Sequence, residues 1–352
     1  MDSLAEGNAR YKTKQKNHPH PKTHINTVFL KYICSSAHIM IFLKMKKTLS
    51  LLLLTGISIA CYAQKVQLQL NLKQDSTYYL NSSSTMNVTE TIQGQQQAIS
   101  IIISGKVAHK VTAIKDTVYE MAVQYESIAM HMDMSKAGVV VDVNTDEGKQ
   151  DLMSKVMSGM LHKPIKLTLS RTGKVIAIKN IDTLYSGMFA NFSEVPEAQK
   201  AQIKAQVEKS FGEKAFKGNF QDAFAVFPAV AVGLNDKWAT NTSLESVVMV
   251  TIKTTYVLQS ITDKAYIIHG DAAIVSAGSG QYTQFQGMPM RFINSTGTAT
   301  TDIKLDRATG WVTESKTTKT IKGDIEILDN PKVPGGLTFP IAVNADIAIS
   351  SK

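Results

Sequence analysis

Cysteine is almost absent: the 352-residue chain has two, Cys34 and Cys61, and both precede Gln64. From Gln64 onward no disulfide framework is available, so that part must rest on an apolar core, which a segment of its length can build. Local catalytic signatures are missing as well. There is no G-x-S-x-G elbow and no H-E-x-x-H pair, and the four histidines after Gln64, His109, His131, His162 and His269, are scattered. A basic excess is lacking once position is considered. The whole chain has 38 Lys and Arg against 29 Asp and Glu, yet residues 1–63 hold nine and two of these, leaving 29 against 27. The electrostatic footprint of a nucleic-acid binder is therefore absent after residue 63, and no nucleic-acid partner is expected.

What is present starts at Met45. The stretch MKKTLSLLLLTGISIACYAQ has a basic start at Lys46 and Lys47, an apolar run from Leu49 to Ala60, and small residues at Cys61 and Ala63. This is the layout of an export signal cut at Ala63-Gln64. Lipid anchoring at Cys61 fits less well, because Ser58 stands where a branched apolar residue is expected. Reading Thr27–Leu43 with Leu49–Ala60 as a membrane anchor meets Lys31, His38, Lys44, Lys46 and Lys47, each costly in hydrocarbon. Residues 1–44 read as upstream sequence ahead of the true start, and 45–63 as a signal peptide that engages the export machinery. The remainder, 64–352, is expected to be one β-rich domain outside the cytoplasm, periplasmic or associated with the outer membrane.

Period-two alternation dominates that domain. KVQLQLNL places Val66, Leu68, Leu70 and Leu72 on one face and reads as a strand. Tyr119, Met121, Val123 and Tyr125 continue as Ile128, Met130, Met132 and Met134 with a change of parity across Glu126 and Ser127, which predicts a β-bulge. Hairpins are expected at IKLTLSRTGKVIAIKN and around Asp306–Gly310. Helical spacing occurs in KQDLMSKVMSGML, after Pro196 (Ile203, Val207, Phe211), and again through Phe216, Phe220 and Phe224. The expected fold is mainly β with a helical insert. Two curved antiparallel sheet halves, 64–188 and 233–352, half-barrel-like and compatible with an internal duplication, pack on central helices from 193–229.

Several segments suggest sites. AMHMDM resembles a Cu(I) ligand set, but in a strand Met130, Met132 and Met134 point away from His131 and Asp133. DVNTDEG sets Asp142, Asn144 and Asp146 at calcium-loop spacing, with Glu147 where Gly is needed and Met153 where the closing Glu is needed. Neither supports a metal, and no cofactor is expected. His109 shares its parity with Val107 and Val111 and reads as a core or edge residue. The remaining concentration is Phe211, Phe216, Phe220, Phe224 and Phe227 with Met153, Met157 and Met160, joined by Met130 and Met132. These seal the core or line an apolar cavity suited to acyl chains.

LQLNLKQDSTYYL, GMLHKPIKLTLSRTGKVIAIKN, the Pro-initiated helix, VGLNDKWATNTSL and LDRATGWVTESK occur in an order that resembles an exported, Bacteroidota-type bacterial family, domain of unknown function 6263. One departure is Gln74, where that pattern has Gly before the Asp. The resemblance implies export and a β-rich fold, with no activity to carry over. More loosely, the architecture is similar to periplasmic lipoprotein carriers and related lipid-binding lipoproteins. The reading that follows is noncatalytic binding of an apolar ligand, a lipid or an acylated protein such as a lipoprotein. A cavity-free envelope scaffold using the Thr-rich strands from Thr298 to Thr320 is the alternative. A hydrolase with a site assembled from distant residues is the third.

Overall fold

The computed structural model describes residues 65–134, 138–148, 151–189, 195–224, 227–245, 249–276, 282–285 and 287–351, with the backbone alone at 206, 209–211, 215, 219, 221–223, 243–245, 249, 283 and 285. The upstream segment, the signal peptide, Cys61 and the Ala63-Gln64 junction lie outside the described residues.

The first half supplies β1 (Thr77–Ile92), β2 (Gln95–Lys115), β3 (Val118–Met134), β4 (Val139–Asn144), β5 (Ile165–Ser170) and β6 (Val175–Lys179). The second supplies β7 (Lys237–Glu245), β8 (Met249–Ile261), β9 (Ala265–Ser276), β10 (Thr283–Phe285), β11 (Met288–Asp306), β12 (Val312–Ile327) and β13 (Leu337–Ser350). Between strands, among the described residues, lie four helices: α1 (Leu152–Ser158), α2 (Thr183–Ser186), α3 (Glu197–Phe211) and α4 (Glu213–Phe224). Asp151 caps α1 through its side chain, and Gly159 ends it, so Met160 falls just beyond the helix. Pro196 occupies the N-cap of α3, and Gly212 in extended backbone separates α3 from α4.

The thirteen strands among the described residues join one antiparallel sheet in the order β6-β5-β3-β2-β1-β13-β12-β11-β9-β8-β7, with β4 on β3 and β10 on β11. The sheet is an up-and-down meander whose first strand pairs with its last and whose main path ends at β6 and β7. α4 touches both of these strands, so the helical insert sits where the sheet fails to close. The mainly β, helix-packed architecture read from the alternation is thus the architecture observed.

The predicted bulge in β3 is present. Lys106 pairs with Ser127 and Val107 with Tyr125, leaving Glu126 as the extra residue. KVQLQLNL, by contrast, is not a ladder strand. It makes one isolated bridge, Val66 to Val232, and then runs under the hairpins: Leu70 N–H donates to the Arg171 carbonyl and Asn71 N–H to the Thr309 carbonyl, each at 2.7 Å. The buried Tyr119 hydroxyl accepts from Leu72 N–H and donates to the Leu70 carbonyl. Its alternation records burial of Leu68, Leu70 and Leu72 in the core rather than sheet pairing.

The two halves repeat one construction. The register slips between Val111 and Ala113 on β2 and between Leu258 and Ser260 on β8. The following turns, IKDTVY (114–119) and ITDKAY (261–266), share Ile, Asp and Tyr at equal spacing. Asp75 N–H donates to the Val111 carbonyl as Asn235 N–H does to that of Leu258, and Arg171 N–H to Thr117 as Arg307 N–H to Lys264. Asp75 and Asn235 both hold positive φ, 62° and 66°. Asp tolerates that region, so the turn needs no Gly at position 74.

Candidate functional site

Alternation gives the sheet an inner face, toward the helices, and an outer one. On β1 the inner positions are Tyr78, Leu80, Ser82, Ser84, Met86, Val88, Glu90 and Ile92, while Asn81, Ser83, Thr85, Asn87 and Thr89 point out. The apolar side faces in, which is the reverse of a lipid-embedded barrel. Among the described residues no helix is long and apolar enough to cross a membrane.

The inner face has two zones. At the helix end, Phe216, Phe220 and Phe224 stack in sequence with ring centroids 6.3 and 4.6 Å apart. Phe224 meets Trp311 at 4.8 Å, and His109 lies between Phe220 and Trp311 at 5.7 and 5.3 Å. Phe227, Met157 and Met160 are buried in the same core, with Met153 and Met130 half-buried against it. Met132 is half-buried on the same face of β3, and the Phe211 side chain lies outside the described set. The aromatic row therefore packs on itself as a plug. His109 is fully buried, its Nδ1 has no partner, and desolvation pushes its pKa down to about 4, so the ring is neutral.

Past a belt of Ser82, Ser84, Gly105, Thr301 and Thr317, the inner face becomes apolar again. Val88, Ile325, Phe339 and Ile341 form one cluster, edged by Met86, Ile92, Ile99, Met290, Phe292, Ile327, Leu337 and Val343. Val250, Ile252, Ile274 and Ala299 form another, with Ala272 and Ile321. Strand side chains alone build both. Ile103 and Val139, also inward-facing, are 39% and 43% exposed. Glu90 sits on this face, and burial raises its pKa.

A third feature is a cleft of about 700 Å³ at the seam between β6 and β7. The β5–β6 turn (Thr172, Gly173, Lys174), the first turns of α4 (Glu213, Lys214, Lys217, Gly218), the 227–229 segment and Thr240, Asn241 and Thr242 of β7 line it. Of the aromatic and methionine residues singled out from sequence, Phe227 alone reaches it among the described side chains. The three-residue spacing of Lys214 and Lys217 was legible; their approach to Lys174 is a product of the fold.

On the outer face His131 pairs with Asp142 at 3.7 Å, on the side opposite the β3 methionines, so the thioethers and the imidazole do not converge. Asn144 accepts from Asp146 N–H in a local turn. His162 approaches Glu126 at 3.6 Å. His269 contacts Asp302 at 2.7 Å and Asp271 at 3.4 Å, and the Asp302 hydrogen bond leads the effects that raise its pKa. Sequence reading missed that triplet, because His269 and Asp302 meet only through the β9–β11 register.

The sequence model of a family described as a family of unknown function (DUF6263) matches residues 116–312. No curated protein matches. Among solved structures, one described as "Lipid-protein interactions in lipovitellin" aligns with a TM-score of 0.44 and 7% identity over 80% of this chain. The aligned part spans 25% of the lipovitellin chain. OprG, an outer membrane protein of Pseudomonas aeruginosa, aligns at TM-score 0.22 and 7% identity, covering 79% of this chain and 98% of its own. DynF of the dynemicin pathway of Micromonospora chersina aligns at 0.20 and 7%, covering 81% and 86%.

Proposed function

The chain belongs to the DUF6263 family of unknown function, and we propose that it is an exported envelope protein that binds, without catalysis, an apolar ligand carrying an acyl chain. A lipid and an acylated protein both present that chemistry. Export rests on the pattern at 45–63. The site proposed is the inner face beyond the aromatic plug, where Met130 and Met132 stand beside Ile103 and Ile101 and lead toward the cluster around Val88 and Phe339. In this arrangement the phenylalanines close one end and the methionines supply adaptable wall.

The observation that carries the reading is a mainly apolar inner surface, interrupted by Glu90 and Lys319 and built from strand side chains alone, while the outer surface is mainly polar. Water leaves such a surface favourably, at roughly 25 cal/mol per Å² covered. The scaffold reading relies on the outer threonines, but Thr318 and Thr320 spend their hydroxyls on Asp346 and Asn344 of the neighbouring strand.

Ile102 and Ile103 provide a direct test, being equally exposed neighbours on opposite faces. Displacement of a fluorescent fatty acid from the full chain should weaken about tenfold in Ile103→Asn, from lost apolar contact, and stay unchanged in Ile102→Asn. Absence of probe binding, or equal weakening in both variants, would overturn the proposal.

A further inference from the structure

The seam cleft is chemically unlike the apolar face. Lys174, Lys214 and Lys217 approach it from two separate elements, and among the described residues Glu213 is the one carboxylate that lines it. Like charges three residues apart on a helix repel by a few tenths of a kcal/mol, so the convergence has a local cost. Among the described residues the ammonium groups of Lys174 and Lys217 make no ion pair. Thr242 also lines the cleft, is only 8% exposed, and makes no side-chain hydrogen bond among the described residues. Its hydroxyl, facing a cleft rimmed by ammonium groups, is therefore available to an external group.

We infer that this cleft binds a phosphate ester. Lysine serves phosphate as a compact charge with rotatable donors, and Thr172, Thr240 and Asn241 add neutral donors around the same space. The volume lies within the ordinary range for small-molecule sites and exceeds what a bare phosphate fills. Phe227 and Pro228, both buried, offer an apolar wall to the organic remainder. Gly173 fixes the geometry: its φ is 73°, and a Cβ there would lie 2.4 Å from the Phe224 carbonyl oxygen, so the turn bearing Lys174 is seated on the end of α4. This inference is independent of acyl-chain binding.

The test uses the full chain with two probes, inorganic phosphate by titration calorimetry and sedimentation of phosphatidylcholine vesicles with or without phosphatidylglycerol. Lys174→Gln with Lys217→Gln should weaken phosphate binding about tenfold or more, as expected for lost charge-assisted bonds. Thr242→Val should weaken it less, with an unchanged melting temperature confirming the fold. Lys110→Gln with Lys322→Gln, exposed on outer strand positions away from the cleft, controls for net charge. Calorimetric binding lost in the cleft variant supports a soluble phosphate ester. Binding only to phosphatidylglycerol vesicles, lost in the same variant, supports a lipid headgroup. No binding of either probe, persistence in the cleft variant, or equal loss in the control pair overturns the inference. Ile103→Asn should leave phosphate binding intact, which separates this result from failure of the acyl-chain reading.

Discussion

His109 and His269 respond to acid in opposite senses. His109 is held neutral inside the aromatic plug, with a pKa near 4 against an ordinary value of 6.5. Above 6.5 the ring is neutral whether the chain is folded or not. As pH falls from 6.5 toward 4 the unfolded chain takes up a proton that the folded one refuses, so stability drops by at most on the order of 3 kcal/mol. His269 has a raised pKa through Asp302; its contribution is fully present below 6.5 and disappears as pH rises through the raised value. Urea midpoints measured across pH should therefore decline from 6.5 to 4. His109→Leu should flatten that decline even if it lowers every midpoint, and an unchanged slope would show that His109 is not the acid-sensitive group. The parity of His109 with Val107 and Val111 marked it as inward-facing from sequence alone. Its sandwich between Phe220 and Trp311 was not legible, because those partners come from a helix and from the far end of the meander.

The hairpin turns tie the halves together. Gly310 has a φ of 67°, and an added Cβ would lie 2.1 Å from the Gln69 carbonyl oxygen. Gly94, in the β1–β2 turn, has a φ of 80° with nothing within 4 Å. Gly94→Ala should cost only the left-handed penalty, about 1 kcal/mol. Gly310→Ala adds a backbone clash and should cost at least about 2 kcal/mol, read as a lower urea midpoint. Equal losses would mean that the 65–72 segment does not press on the turn as described. Both strand pairs flanking the predicted hairpins, and the bulge at Glu126, were readable because side-chain direction has a period of two and any slip shows as a change of parity. The same signal misassigned KVQLQLNL, since alternation reports which side chains are buried and is silent on whether the backbone has a ladder partner. Its carbonyls and N–H groups are satisfied singly by turns and by Tyr119.

For the molecule as a whole, the decisive contact is the one farthest apart in sequence. β1 pairs with β13 from Asn81–Ser350 to Glu90–Ile341, and no local pattern announces a partner so distant. That pairing leaves β6 and β7 as the ends of the main strand path, so α4 and the lysine cleft lie at the seam between them, while the plug on α4 reaches across to His109 of β2 and to Trp311. The aromatic spacing in 211–227 was visible, but whether it lined a cavity depended on what the fold set against it. β13 also supplies Phe339 and Ile341 to the inner apolar cluster. A chain lacking residues 337–352 would expose two long edges, β1 and β12, and lose that cluster in one step. Removing β4, which pairs only with β3, opens no second edge in the main path. The β13 truncation should lose its cooperative thermal transition and elute as aggregates, whereas deletion of 139–144 should still melt cooperatively, at a lower temperature because the buried Val143 is lost. A monomeric β13 truncation melting as the full chain does would contradict the role assigned to that strand in joining the two ends of the chain within the sheet, and the inner face it helps to build could then not be the ligand surface proposed.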